Sequence, residues 1–142
     1  MAKIRHIAVF AREQEKLADF YKTVFDMKEV HRHYAEGSSD KQAIYLSDGY
    51  INLAILPAGA DYPEGIDHFG FEVEDSKETA ALALRSGASQ GRESVPRDGR
   101  FAEGFIRDPV GQRVDLSVQG WRTEAVEPVA TGKEKATIPG HN

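Results

Sequence analysis

The sequence contains no cysteine among its 142 residues. This absence excludes disulfide bonds, thiolate ligands to a metal and a cysteine nucleophile, and it is consistent with a reducing compartment. The amino-terminal residues also lack the apolar stretch of a signal peptide, and no apolar run approaches the length of a membrane span. We therefore expect a cytoplasmic protein that has no membrane partner.

An excess of basic residues is lacking as well. The 18 lysines and arginines are outnumbered by 23 acidic residues, which gives a formal net charge of −5 and no basic stripe. Because nucleic acids attract positively charged surfaces, a nucleic-acid partner is not expected. The length suits a single domain that can bury a core of its own without an external staple.

The most informative feature that is present is an internal repeat. The heptad at residues 4–10 resembles the heptad at residues 66–72, and the histidines at its third position, His6 and His68, lie 68 − 6 = 62 residues apart. Both heptads alternate like strands. A helix and three further strands follow in each half, the strands at about 28–34, 42–47 and 50–56, and then at about 92–95, 101–107 and 112–118. The sequence therefore predicts two tandem βαβββ modules.

Local signals support the two modules. Asp75 and Glu78 have the spacing of a capping box at the start of the second helix. Turn residues at 48–49 and 108–111 predict a hairpin at the end of each module. The first helix has an apolar face at helical spacing, which consists of Leu17, Phe20, Tyr21, Val24 and Phe25.

These signals also define the predicted boundaries. We expect one domain at 1–120, with modules at about 3–56 and 65–119 and a linker at 57–64. Residues 121–142 lose the pattern, and they are interpreted as a tail or as an arm that lies over a neighbour. Trp121 is the candidate anchor of such an arm.

The strand alternation places one set of polar side chains on the open face of the sheet, away from the helices. The set consists of His6, Asn52, His68 and Asp115, and each is followed two residues later by a small side chain, at Ala8, Ala54, Gly70 and Ser117. Polar groups beside missing side chains predict a cavity that holds a small molecule. A structural, hydrogen-bonded role is the alternative for each histidine.

Two histidines and a carboxylate suit one divalent metal, for which Fe, Mn, Ni, Co and Zn are candidates. Such a metal would polarise a substrate oxygen and stabilise an enolate or oxyanion. Asp115 is also the candidate catalytic residue, because its carboxylate could leave the metal and act as a base.

Other polar residues are weaker candidates. His31 and His33 share a face of one strand, with a solvated face as the alternative, and Tyr45 and Arg107 occupy matching positions of the two halves. Glu103 is an alternative base or a plain exposed strand residue. The stretch 36–40 is a candidate lid loop.

Four motifs together resemble the glyoxalase/bleomycin-resistance/dioxygenase superfamily, also called the vicinal oxygen chelate superfamily. They lie at residues 4–9, 20–27, 67–71 and 107–116, and the resemblance covers residues 3 to about 119. It implies an α+β fold with a curved mixed sheet and helices on its outer face. It also implies metal ligands on the first and last strand of each module, at His6, Asn52, His68 and Asp115. Asp115 stands where the family usually has Glu, and Asn52 stands where Glu or Gln is common.

The resemblance implies a metalloenzyme, a glyoxalase I-like lyase or isomerase that acts on a small oxygenated substrate. An extradiol-type dioxygenase and a fosfomycin-resistance-like transferase are alternatives, because a site of two histidines and one acid is similar to theirs. A metal-free drug-binding protein is a further alternative. The last alternative is a module that binds a partner protein and has no small-molecule site. We expect a homodimer with two equivalent cavities, each built from modules of one chain or of two.

Overall fold

In the part of the chain that the structure describes, two helices and eight strands follow one another in the order that the repeat predicts. The computed structural model describes residues 1–34, 42–95 and 102–124. The elements of these parts are β1 (Lys3–Ala11), α1 (Gln14–Phe25), β2 (Lys28–Tyr34), β3 (Gln42–Ser47), β4 (Asn52–Pro57), β5 (Gly65–Glu72), α2 (Ser76–Arg85), β6 (Ser89–Arg92), β7 (Gly104–Arg107) and β8 (Arg113–Ser117).

The strands form one mixed sheet with the order β2-β3-β4-β1-β5-β8-β7-β6. In each half the first strand pairs in parallel with the last, β1 with β4 and β5 with β8. The two halves meet at the centre, where β1 and β5 pair antiparallel. The predicted α+β fold with a mixed sheet of two βαβββ modules is confirmed, and both modules of this sheet belong to one chain.

The two faces of the sheet carry the side chains that the alternation predicts. On the helix side, Ile44, Leu53 and Ile55 form a cluster that contacts α1, while Val114 and Leu116 belong to a second cluster with residues of α2. On the opposite face of the first module, a separate cluster contains Ala8, Val30, Ala43, Tyr45 and Ala54. The core therefore lies mainly between the helices and the sheet, and the candidate ligands lie on the other side.

The helix α1 buries a narrower face than its apolar pattern predicts. Ala18 is fully buried, and the amide of Gln14 donates a 2.9 Å hydrogen bond to the carbonyl oxygen of Ile55. This polar contact turns Gln14 and Ala18 towards the sheet. Phe20, Val24 and Phe25, which belong to the predicted apolar face, are consequently 50%, 55% and 61% exposed.

The second helix begins as predicted, because the Asp75 carboxylate accepts a 2.9 Å hydrogen bond from the backbone N–H of Glu78. The following strand begins three residues earlier than the predicted 92–95 and ends at Arg92, since the pairing of Ser89 with Arg107 sets its position. No helix in the described parts is long and apolar enough to cross a membrane.

Candidate metal centre

The pairing registers of the four central strands bring the candidate ligands together. His6 of β1 pairs with Asn52 on one side and with Gly70 on the other, and Gly70 pairs with Asp115. A row of four residues therefore crosses the sheet on its open face. A second row lies two residues along and contains Ala54, Ala8 and His68. The register of β5 with β8 extends it to Arg113.

The two rows are related by an approximate two-fold axis, because β1 and β5 run antiparallel and each carries one histidine. This axis relates His6 to His68, and it relates Asp115 to Ala54. Asn52 is therefore the counterpart of Arg113, whereas the sequence analysis treated Asn52 and Asp115 as equivalent. Equivalent residues are 62 positions apart at the histidines but 115 − 54 = 61 positions apart at the last strands. Because of this one-residue difference, the residue equivalent to Asp115 is Ala54.

Three of the four predicted ligands point at one another. His6, His68 and Asp115 are buried, and one ligand atom of each lies within 4.8 Å of the other two. Asn52 is also buried and lies beside His6, but its amide nitrogen donates a 2.8 Å hydrogen bond to the carbonyl oxygen of Arg122. The structure therefore brings together the two histidines and the carboxylate, with Asn52 adjacent to them.

The contacts of His68 test whether this group suits a metal. Its Nδ1 lies 2.7 Å from a carboxylate oxygen of Asp67, and its Nε2 lies 3.3 Å from Oδ2 of Asp115. When Nδ1–H donates to Asp67, the Nε2 of a neutral ring carries a lone pair, and this lone pair faces Oδ2 of Asp115. Two lone pairs in a buried site require a cation between them, either a proton or a metal ion. With metal–ligand bonds of about 2.1 Å, ligand atoms of one ion lie roughly 3.0–3.4 Å apart, so the pair fits a metal.

The charge of Asp115 is balanced within the sheet. The Nε of Arg113 donates a 2.8 Å hydrogen bond to Oδ1 of Asp115. Burial acts to raise the pKa of Asp115, but its contacts with His68 and Arg113 outweigh it and lower that pKa to about 2. The carboxylate is therefore ionised at neutral pH and is available as a ligand.

His6 is held in its neutral form. Burial is the main cause that lowers its pKa to about 4, while the nearby Asp115 carboxylate acts in the opposite direction. A neutral imidazole is the form that binds a metal. At neutral pH both His6 and Asp115 are therefore in the protonation state that coordination requires.

Trp121 covers this group on the open face. Its indole stacks on the ring of His6, with centroids 4.6 Å apart and planes 3° from parallel. It also lies over Gly70, where an added Cβ would meet the indole at 2.4 Å. Gly70 leaves space on the open face, and the chain's own tryptophan fills it.

Two further site residues were missed by the sequence analysis as functional partners. Asp67 was noted only within a motif, although a carboxylate next to a strand histidine is a recognisable signal for a partner of that histidine. Trp121 was considered only as an anchor, and no local pattern connects it with His6. Contacts between residues that lie 115 positions apart (121 − 6) depend on the tertiary fold.

The weaker candidates lie outside this group. Tyr45 is buried in the cluster on the open face, and its ring centroid lies 6.0 Å from that of His31. His33, which lies on β2 with His31, is exposed. Arg107 donates a hydrogen bond to the carbonyl oxygen of Gly111. The candidate lid at 36–40 is outside the described residues.

Glu103 is buried, although the sequence analysis considered a plain exposed residue as its alternative to a base. Its carboxylate accepts a 2.7 Å hydrogen bond from the Ser76 hydroxyl and a 2.5 Å bond from the backbone N–H of Val118. These contacts connect the start of α2 with the end of β8. They indicate a structural role for Glu103.

Solved structures share this fold at low sequence identity. A hypothetical protein from Bacillus halodurans C-125 matches with a TM-score of 0.65 and 19% identity, over 89% of this chain and 99% of its own. A variant of Streptomyces coelicolor methylmalonyl-CoA epimerase, in complex with 2-nitronate-propionyl-CoA, matches with a TM-score of 0.58 and 19% identity, over 87% of this chain and 97% of its own. A mutant of 4-hydroxymandelate synthase from the same organism matches with a TM-score of 0.70 and 16% identity, over 94% of this chain and 44% of its own.

No curated protein sequence matches the chain significantly. The sequence model of one family, however, matches residues 3–116, which contain His6, His68, Asp115 and the strands of the sheet up to the last residue but one of β8. That match covers most of the chain, and it agrees with the two βαβββ modules and with the solved structures of the same fold. The chain belongs to the Glyoxalase/Bleomycin resistance protein/Dioxygenase superfamily.

Proposed function

We propose that this chain is a metal-dependent enzyme of the superfamily, a glyoxalase I-like lyase or isomerase that acts on a small oxygenated substrate. The observation that supports it most is the buried group of His6, His68 and Asp115, whose ligand atoms lie within 4.8 Å of one another. One divalent ion, Fe, Mn, Ni, Co or Zn, would be held there and would polarise an oxygen of the substrate.

The residues around the ion would have separate roles. The Asp67 carboxylate holds the Nδ1–H of His68, so Nε2 is the nitrogen that faces the site. Arg113 orients the Asp115 carboxylate and stabilises its ionised form. A pKa of about 2 makes Asp115 a weak base, which favours a role as ligand over proton abstraction from carbon.

The number of protein ligands bears on the type of reaction. The two-fold counterpart of Asp115 is Ala54, which offers no ligand atom, so three protein ligands would leave positions for substrate oxygens. This feature favours substrate chelation, and it keeps the extradiol-type dioxygenase and the fosfomycin-resistance-like transferase as alternatives within the same site.

Elemental analysis tests the metal directly. We expect about one equivalent of a transition metal per chain in the wild type and its loss in His68→Ala, because His68 supplies a central ligand. His33→Ala is the matched control, since His33 is an exposed histidine on an edge strand, and it should keep the metal. If wild type and His68→Ala hold equal amounts, or none after incubation with all five metals, the metalloenzyme is rejected.

A metal-free small-molecule binding protein is the second candidate. The observation in its favour is that Arg113 already neutralises Asp115, so a stable arrangement exists without a metal ion. It predicts ligand binding that a chelator does not change, measured by calorimetry with and without EDTA.

We also propose that the chain forms a homodimer. The exposed Phe20, Val24 and Phe25 of α1 support this, because clustered apolar side chains at a surface are typical of an interface. Sedimentation equilibrium should give twice the mass of the chain for the wild type and the single mass for Phe20→Ser/Phe25→Ser. A monomeric wild type would contradict the proposal.

A further inference from the structure

The segment at residues 120–123, here called the strap, runs over the open face beside the candidate metal centre. Trp121 and Thr123 are only 4% and 8% exposed, although they lie beyond the last strand and belong to no helix or strand. Gly120 starts the strap with a φ of +71°, a left-handed conformation that favours glycine. This turn sends the chain back over the sheet.

Side chains of the first module hold the strap in place. The Ser47 hydroxyl donates to the carbonyl oxygen of Thr123, and the Asn52 amide donates to that of Arg122 at 2.8 Å. Nη2 of Arg5 donates to Oγ1 of Thr123 at 3.2 Å. Because single side-chain hydrogen bonds contribute little each, such a segment can separate from the sheet without unfolding it.

The indole of Trp121 fills the space that a substrate would need. It lies parallel to the ring of His6 at 4.6 Å and over Gly70, whose missing side chain makes its position possible. His6, His68 and Asp115 are each less than 5% exposed in this arrangement. A substrate that reaches a metal on these residues must therefore displace the indole or enter around it.

We propose that the strap is a displaceable plug, in which the Trp121 indole takes the place of a flat ring of the substrate and withdraws when such a ligand binds. The inference rests on the proposed function, because it assumes that a ligand enters this site. A planar ring with adjacent oxygens regains the stacking on His6 and presents its oxygens to the metal. Catechol is the simplest probe with these features.

A first experiment tests whether the plug can leave, and it needs no metal. Trp121 is the only tryptophan of the chain, so its emission reports on the strap alone. In Gly70→Ala the new methyl group would meet the indole at 2.4 Å and force it out. We expect a red-shifted emission and stronger quenching by acrylamide in that variant, with unchanged circular dichroism.

Gly59→Ala is the matched control, because nothing lies within 4 Å of the added Cβ, and it should keep the wild-type emission. An unshifted emission in a folded Gly70→Ala protein would contradict the plug. It would show that the indole stays on the sheet even when its place is taken.

A second experiment measures catechol binding by calorimetry to the zinc-loaded wild type and to zinc-loaded Trp121→Ala. A plug lowers the apparent affinity by the fraction of molecules in which it is open, so removing it should tighten binding by about tenfold or more. The wild-type emission should shift to the red as catechol binds. Weaker binding by Trp121→Ala, or wild-type binding without a shift, would show that Trp121 is a fixed wall of the pocket.

The two proposals fail in different ways. If neither the wild type nor Trp121→Ala binds zinc or any of the other four metals, the proposed function fails, and the plug is then judged by whether catechol shifts the Trp121 emission in the metal-free wild type. If zinc binds and Trp121→Ala loses catechol affinity, the metal centre stands and the plug is rejected.

Discussion

The Asp67–His68 pair decides which nitrogen of His68 faces the candidate metal centre. The two residues are neighbours on β5, and the 2.7 Å contact between Nδ1 and the Asp67 carboxylate orients the ring. The other nitrogen is then directed at Asp115, 3.3 Å away. A carboxylate behind a metal-binding histidine also raises the basicity of the ligand.

We predict that Asp67→Asn weakens metal binding by about 10- to 100-fold, because the amide cannot fix the tautomer through a charged acceptor. Competition with a fluorescent zinc chelator would measure the affinity. Asp61→Asn, an exposed change in the linker, is the control and should leave it unchanged. Equal affinities in both variants would show that Asp67 does not support the ligand.

His6 makes the stability of the metal-free protein depend on pH. Its pKa is about 4 in the folded chain, below the ordinary value of 6.5, so the unfolded chain binds a proton more readily. Above pH 6.5, where His6 is neutral in both states, this residue does not lower the free energy of unfolding. As the pH falls from 6.5 towards 4, the unfolded chain takes up the proton first, and the free energy of unfolding decreases. The difference between the two pKa values corresponds to ~3 kcal/mol.

We therefore expect the unfolding free energy, measured with urea in the presence of EDTA, to fall by ~3 kcal/mol between pH 6.5 and 4 through this residue. In His6→Gln, which cannot titrate, the fall over the same range should be smaller by that amount. The Asp115 carboxylate, with a pKa of about 2, contributes a further loss only below its ordinary value of 3.8. Parallel pH profiles for wild type and His6→Gln would refute the assignment.

At the scale of elements, strand register decides which side chains surround the candidate centre. Ala8 pairs with Ala54, and Gly70 pairs with Asp115, so the positions next to the two histidines differ between the modules. One module offers a carboxylate and the other a methyl group. The register therefore explains why three acidic or imidazole ligands come together and a fourth does not.

We predict that Ala54→Asp supplies this fourth ligand. Ala54 is 1% exposed, so a carboxylate there destabilises the metal-free protein by several kcal/mol. Bound metal should restore that stability, and the affinity for Co²⁺ should exceed that of Ala54→Asn by about tenfold or more. Asn has nearly the same size and no charge, so equal affinities of the two variants would reject Ala54 as the open coordination position.

At the scale of the whole molecule, the centre joins the two modules. His6 comes from the first module, whereas His68 and Asp115 come from the second, and the antiparallel pairing of β1 with β5 brings them together. A ligand that binds only when both modules are folded stabilises both at once. The centre and the sheet therefore form one cooperative unit.

We predict one thermal transition for the metal-free protein and an increase of about 2.7 kcal/mol in the unfolding free energy at a metal concentration of 100 times Kd. Circular dichroism and scanning calorimetry should give the same midpoint with metal bound. His68→Ala should show no metal-dependent shift, and His33→Ala should keep it. Separate midpoints for the two probes would indicate that the modules unfold independently.

The amino-acid sequence by itself determined the repeat, the order of strands and helices, and the faces of the strands. These features depend on local periodicity, since alternate residues of a strand share a face wherever the strand lies. For this reason the placement of His6, His68 and Asp115 on the open face could be predicted. The capping of α2 by Asp75 was local as well.

Only the tertiary structure decided the register, the surroundings of the ligands and the orientation of α1. The one-residue change that makes Ala54 the counterpart of Asp115 arises where β4 and β8 pair with distant strands. The stacking of Trp121 on His6 and the contact of Gln14 with Ile55 likewise join residues far apart in the chain. Such contacts follow from packing between elements, which no local pattern in one sequence records.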